Sequence, residues 1–557
     1  MAEQVSPSGR VTAWVARHSL LLLLPAVIMT LRVLNFDPAM TYFRIADIDS
    51  LMSMQALDVN GGAIPSYLDH PGDAPIRLLG WWFSFLFWTG ALGFRDLSGI
   101  SSPMTYVEAL FASTVAGRVL AALVMVGAVH ACAVASYLLT RRLWVGVYVG
   151  CLYASGYGTF LQSQIIRTES LSALLWWVSV IILILLARPT SRLRYALSAG
   201  ALGACLYLQL STKVQSLLMF PFFLVVPFLV QAIDRLDGRD STVAQERSDL
   251  PFWGRAWIAV LTGALLADAS LFLRVSVYHL SVIVSFAVFI WIINRHAKWG
   301  SFLTLVLLIT AGSYVGTLLQ TAPYTAYPLY TSVNAREKLQ DMCNLGKCPT
   351  AELSTFFPFL KTVLVNTGST LFSLEETQRP YIVTKLHYMF AILWLFVTTG
   401  LVFWRAILGK GSETLRAASQ RYGGLLSVEA ALVLLIALVT SAMLFRWARG
   451  ILVSYYWLYV EAGVVLAMAL PLVSISRLKP RVAAVIFPLF ILVTAIPSIR
   501  WGYDAWRQGK AIGLPTNWEP SKGCVWSTYP QTTGALVKSW GGCENVYQRI
   551  AESSALR

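Results

Sequence analysis

Charge is what this chain has least of. Asp, Glu, Lys and Arg make up 13% of its 557 residues, against 57% hydrophobic residues. A soluble protein of this size carries roughly twice that charged fraction, so a soluble globular enzyme is excluded. Histidine is also rare, at six residues, and cysteine numbers seven. Missing too is a convincing small-residue cleavage site after the first apolar run, which therefore reads as an uncleaved anchor rather than a signal peptide. Arg10 and Arg17 precede that run and leave the N terminus inside.

Long apolar runs are what the chain has instead. A membrane-crossing helix needs about 20 apolar residues with every backbone polar group satisfied internally. Runs near residues 19–35, 114–139, 143–163, 170–187, 195–211, 215–232, 255–273, 276–294, 299–318, 385–404, 425–445, 451–473 and 482–498 meet that need. The expectation is an all-α polytopic membrane protein with about 13 transmembrane helices. Basic residues should collect in cytoplasmic loops. Arg141 with Arg142, then Arg188, Arg192 and Arg194, then Arg235, Arg239 and Arg247, then Arg295 with Lys298, then Arg405 and Lys410, and finally Arg477 and Lys479 all fall on one side. The net charge of +15 is thus mostly topology, and little is left for a nucleic-acid partner to explain.

The other side receives the first loop (36–113), a lid loop (319–384) and a C-terminal tail (499–557). Cys132, Cys151 and Cys205 lie inside spans, whereas Cys343 with Cys348 and Cys524 with Cys543 sit as pairs in the outer segments. Such pairing suggests disulfides in an oxidising compartment, and neither pair has the His or CxxC partner that zinc would want. Together with the preference for Arg over Lys, this points to the inner membrane of a bacterial envelope, with a site facing the periplasm or exterior. The domain plan is one transmembrane module over 1–498 followed by the stapled tail.

The first loop carries unusual chemistry. In 48–58 (IDSLMSMQALD), Ile48, Leu51 and Met52 share one helical face and predict a short interfacial helix, ended by the Gly61–Gly62 turn. Asp58 reads as a solvated loop acid. The run 76–94 (IRLLGWWFSFLFWTGALGF) is nearly long enough to span, but loop parity favours an interfacial or re-entrant helix.

An acid at the start of that interfacial helix, a Gly-Gly turn and then YLDHPG with Tyr67, Asp69 and His70 resemble the first outer loop of GT-C glycosyltransferases, in the branch of the protein O-mannosyltransferases and lipid A aminoarabinose transferases. The likeness continues in AGRVLAALV with Arg118, in QSQIIRTESLSALLWW with Arg167 and Glu169, and in RWARGILVSYYWLYVEAG with Arg446 and Arg449. The chain departs from the pattern in having Asp-Ile-Asp for Asp-Glu and His-Pro-Gly for His-Pro-Pro. The resemblance implies a GT-C fold and transfer of a sugar from a polyprenyl-phosphate carrier to a hydroxyl of a glycan, lipid or protein, usually with inversion. Such chemistry needs a carboxylate to take the acceptor proton and cations to hold the phosphate. Asp49 or Asp47 is the candidate base and Glu169 a second acid. Arg118, Arg167, Lys213, Arg274, Arg446 and Arg449 lie at outer span ends and, with Tyr67, Asp69 and His70, are the candidate contacts to donor phosphate or acceptor. The acids and His70 are compatible with a divalent ion, but no spacing specifies one.

Plainer readings compete: outer-end cations snorkel to headgroups, and Asp47 and Asp49 cap the interfacial helix. Two other functions also fit a polytopic chain. An outer-leaflet polysaccharide ligase or polymerase would place its key arginines and a histidine in a large late loop. A transporter of lipid-linked sugars would show ionisable residues at mid-membrane and broken helices; Asp268 and Glu461 are the main central charges here.

Overall fold

The computed structural model describes residues 20–35, 49–63, 73–188, 192–212, 381–407, 457–478 and 480–507, with isolated positions at 222–234, 434 and 538–545. Among the described residues the architecture is all-α. The helices are α1 (Leu24–Leu34), α2 (Asp49–Asn60), α3 (Asp73–Trp88), α4 (Pro103–Thr140), α5 (Leu143–Ala154), α6 (Tyr157–Gln162), α7 (Thr168–Ala187), α8 (Arg192–Thr212), α9 (Ile382–Ile407), α10 (Trp457–Leu478) and α11 (Pro480–Arg507). Among the described residues two stretches, Glu108–Thr140 and Thr168–Ala187, are long and apolar enough to cross a membrane. The expected spans at 255–273, 276–294 and 299–318, most of that at 215–232 and all but one residue of that at 425–445 lie outside the described residues, as do the four outer cysteines.

Local sequence explains where these helices start and stop. Pro103 occupies the first turn of α4, where a missing N–H costs nothing. Ser102 before it forms a capping box: its hydroxyl accepts from Thr105 N at 3.2 Å while its own N–H donates to Thr105 Oγ1 at 3.0 Å. The 38 residues of α4 extend about 57 Å at 1.5 Å per residue. It therefore begins eleven residues before the expected span at 114 and outruns a hydrocarbon layer. The Gly61–Gly62 turn forms as expected, with Gly62 at φ +88°, where a side chain would strain the backbone.

Two apolar cores result. The larger unites α1, α4, α5, α7, α8, α9 and α10. A smaller one gathers Leu51, Met54 and Leu57 of α2, Ile76, Leu79 and Phe83 of α3, and Tyr106 and Leu110 at the start of α4. This corrects two expectations. α2 does not lie with one face on an interface, because Leu51, Met52, Met54 and Leu57 are all buried, and Asp58 is 5% exposed rather than solvated. α3, α4 and the segment carrying Leu92, Leu97 and Ile100 pack around it. α3 has 16 residues and stops at Trp88, short of the expected end at 94.

The expected span at 143–163 is also not one helix. It breaks at Ser155–Gly156 into α5 and the six-residue α6. At the other end of the chain α11 runs to Arg507, past the expected boundary of the tail at 499.

Gly146 and Gly150, four apart on α5, bring it against α4 and α1 in the small-residue manner of membrane helices. A Cβ on Gly146 would stand 2.7 Å from the Ala133 carbonyl oxygen, and one on Gly150 2.7 Å from Pro25 Cγ. The Ala133 carbonyl is helix backbone and cannot give way. Gly146→Ala is therefore expected to cost about 1–3 kcal/mol. Gly127→Ala on α4, where the new Cβ would meet Leu174 Cδ1 at an ordinary 3.6 Å, should be neutral or better. Unfolding titrations of the two purified variants in one detergent check the contrast.

Candidate functional site

The two cores meet at Ile165 and Ile166, which belong to the larger and the smaller respectively. The candidate site lies on that seam. Asp49 enters from the first turn of α2 and Arg118 from about four turns into α4. Arg118 Nε donates to Asp49 Oδ2 at 3.0 Å, and Ile166 N donates to Asp49 Oδ1 at 2.7 Å. Gly117, beside Arg118, is needed for this approach, since a Cβ there would lie 2.5 Å from Ile166 Cδ1. Arg167 and Glu169 follow at the start of α7, with Arg167 Nε 3.5 Å from Glu169 Oε2 and the Thr168 hydroxyl donating to the same oxygen at 3.2 Å. All four ionisable side chains are buried.

Burial pushes the Asp49 carboxyl above the ordinary carboxylate value. The Arg118 guanidinium, the Ile166 N–H and the charge of Arg167 pull it back down. An ionised carboxylate has about four lone-pair positions, so these two bonds leave it able to accept another proton.

Four of the residues expected from the sequence, Asp49, Arg118, Arg167 and Glu169, are thus brought together. Asp47, Tyr67, Asp69, His70, Lys213, Arg274, Arg446 and Arg449 lie outside the described residues. Among the described residues no group of three or more His, Cys, Asp or Glu side chains could hold a metal ion.

α7 separates this cluster from a second charged group. Its 20 residues span about 30 Å, the thickness of a hydrocarbon core. At its far end Arg188 forms a two-pronged bond with Asp234, both contacts 2.7 Å, and donates to the Leu139 carbonyl at 3.0 Å. Charge therefore sits at both ends of an apolar helix.

A third cluster was only half visible in the sequence. Glu461 of α10 accepts from Gly158 N at 3.0 Å, Thr159 N at 3.2 Å and Thr159 Oγ1 at 3.3 Å. It thereby satisfies the open N–H groups at the start of α6. Arg32 of α1, fully buried, donates to the Ala154 carbonyl and to the Tyr381 hydroxyl, with its guanidinium 4.5 Å above the Phe160 ring. The strap from Ser155 to Arg167 is consequently held at one end by Arg32 and Glu461 and at the other by Asp49. Arg32 escaped the sequence reading because a cation near the end of a first span ordinarily snorkels outward. The Ser-Gly dipeptide at 155–156 was the available signal for the break that Arg32 serves.

Comparison with protein-family models and with curated proteins gives no match.

Proposed function

We propose that this chain is an integral-membrane glycosyltransferase of the GT-C type, passing a sugar from a polyprenyl-phosphate carrier to an acceptor hydroxyl at the outer face of the inner membrane. The observation that supports this reading is the buried quartet of Asp49, Arg118, Arg167 and Glu169 at one end of α7. Two carboxylates and two guanidiniums there match the two needs of the reaction. A carboxylate accepts the acceptor proton as the hydroxyl attacks the anomeric carbon. The cations meet the negative charge that develops on the departing phosphate. In this scheme Asp49 is the base, Arg118 sets its basicity, Arg167 faces the phosphate and Glu169 orients Arg167. The acceptor is a glycan, lipid or protein hydroxyl.

The test is transfer from a polyprenyl-phosphate sugar by the purified full chain, followed against pH. Because burial raises the Asp49 carboxyl, the acid limb of kcat/KM should lie above the ordinary aspartate value of about 3.9. Arg118 acts to lower that carboxyl, so Arg118→Gln should move the limb to still higher pH. A limb unmoved by Arg118→Gln removes Asp49 from the role of base.

A second reading, a transporter of lipid-linked sugars, draws on the broken α5–α6 segment and the buried Arg32 and Glu461, since transporters build sites from interrupted helices and central charges. Movement of a labelled lipid-linked sugar between leaflets without any transfer to an acceptor would favour it.

A further inference from the structure

A cleft of about 370 Å³ opens at the opposite end of α2 from Asp49, lined by Asn60, Gly62, Arg77, Trp81, Ser84 and Arg95 among others. Eleven residues of helix separate Asn60 from Asp49, about 16 Å at 1.5 Å per residue, so the cleft is not part of the carboxylate cluster. Its wall is a built structure. The Asn60 side-chain amide donates to the Gly80 carbonyl at 2.9 Å and to the Arg95 carbonyl at 3.0 Å, and Arg95 returns a bond to the Asn60 carbonyl at 3.4 Å. Gly80 makes room for this bolt, since a Cβ there would stand 2.8 Å from Asn60 Oδ1.

Both charges lining the cleft are guanidiniums. Arg77 lies 5.3 Å over the Trp81 ring, a stacking that holds the side chain without neutralising it. Asp96, adjacent to Arg95, accepts from the Ser98 N–H at 2.9 Å and feels the Arg95 charge without forming an ion pair with it. Among the described residues neither Arg77 nor Arg95 has a carboxylate within ion-pair distance. A pair of forked donors on one cleft is suited to a phosphate, which two arginines hold through paired N–H···O bonds.

The surroundings say which phosphate. Arg77, Trp81 and Ser84 share one face of α3, and along the same helix Trp81, Phe85 and Trp88 form a stripe that is 50%, 56% and 76% exposed. The opposite side of α3 is fastened, with Trp82 Nε1 donating to the Ala116 carbonyl at 2.8 Å and Ile76, Leu79 and Phe83 buried. An aromatic stripe open to the outside and ending at two arginines has the layout of a headgroup site: rings among acyl chains, cations at the level of the phosphate.

We propose that the Arg77–Arg95 cleft binds the phosphate group of an anionic membrane lipid. The proposal rests on the membrane placement of the chain but not on its transfer chemistry. The experiment is native mass spectrometry of the detergent-purified full chain titrated with phosphatidylglycerol, phosphatidylcholine, polyprenyl phosphate and inorganic phosphate. Phosphatidylglycerol adducts are expected to exceed phosphatidylcholine adducts, and the Arg77→Gln/Arg95→Gln variant should bind phosphatidylglycerol about tenfold more weakly, one lost charge-assisted bond's worth. Arg77→Lys/Arg95→Lys should retain most of the binding, which separates loss of charge from loss of fold. Asp49→Asn should bind as the native chain does even if transfer is abolished, so failure of the transferase reading leaves this one standing.

A loss confined to phosphatidylglycerol identifies a bilayer lipid, and an equal loss of polyprenyl phosphate identifies the carrier lipid. Undiminished adducts in the Gln variant, equal binding of phosphatidylcholine, or inorganic phosphate binding as tightly as the lipids would each overturn the assignment.

Discussion

Asp49→Asn is expected to lower sugar transfer by at least about a hundredfold, the range for removal of a general base, with donor affinity little changed. It is also expected to lower stability by about 3 kcal/mol, since removing one partner of a buried ion pair leaves the other charge uncompensated. The geometry explains why the isosteric amide is a poor substitute. Oδ2 receives Arg118 Nε and Oδ1 receives Ile166 N, so both positions require acceptors. Asparagine has one acceptor and one donor end, and in either orientation its NH2 meets another donor. The two consequences can be separated by measuring turnover per folded molecule, with the folded fraction read from a thermal scan on the same sample. A folded but inactive variant supports Asp49 as base. A destabilised variant with native turnover per folded molecule reduces the carboxylate to an anchor for the strap, and the transferase reading would then have to be given up.

The same pair shows how far the sequence carries. An acid before a helix, an Arg in the next span and an Arg-Thr-Glu at the following helix start are ordinary when read singly. They stood out through the resemblance carried by their stretches and because a mostly apolar chain placed all of them at one predicted membrane face, and Asp49, Arg118, Arg167 and Glu169 do converge. Hydropathy located α7 and α8 to within a few residues because a run that is apolar on all sides needs no tertiary information. It failed where neighbours decide. The α5–α6 break falls inside a mostly apolar window, and Glu461, which receives the N–H groups beyond it, is about 300 positions away in sequence. α2 looked like a surface helix because Ile48, Leu51 and Met52 share one face; Met54 and Leu57, which fall off that face, were the sign against it, and the packing of α3 and α4 on the remaining sides is not written in α2.

Glu461 and Gly156 should prove energetically inseparable. Glu461→Ala is expected to destabilise the chain by about 3 kcal/mol, because it leaves the Gly158 and Thr159 N–H groups buried without their acceptor, at roughly 1–3 kcal/mol each. Gly156→Ala attacks the same contact from the other side. Gly156 has φ −64° and ψ 150°, a conformation any residue adopts, so alanine costs nothing in backbone strain. What it costs is space: the added Cβ would lie 2.5 Å from Glu461 Oε2 and 2.9 Å from Glu461 Cδ. The carboxylate, tied to three donors, can yield only by breaking those bonds. Gly156→Ala alone should therefore cost about 2 kcal/mol, within the range for overpacking. In the Glu461→Ala background the obstacle is gone and the same substitution should be close to neutral. The double variant is then expected to be no less stable than Glu461→Ala alone, an interaction energy of about 2 kcal/mol between residues 305 positions apart in sequence. Denaturant titration of the four proteins in one detergent measures it. Additive losses would mean that Glu461 does not occupy the gap at Gly156, and the strap leading to Ile166 and Asp49 would lack the fixed upstream end on which the geometry of the site depends.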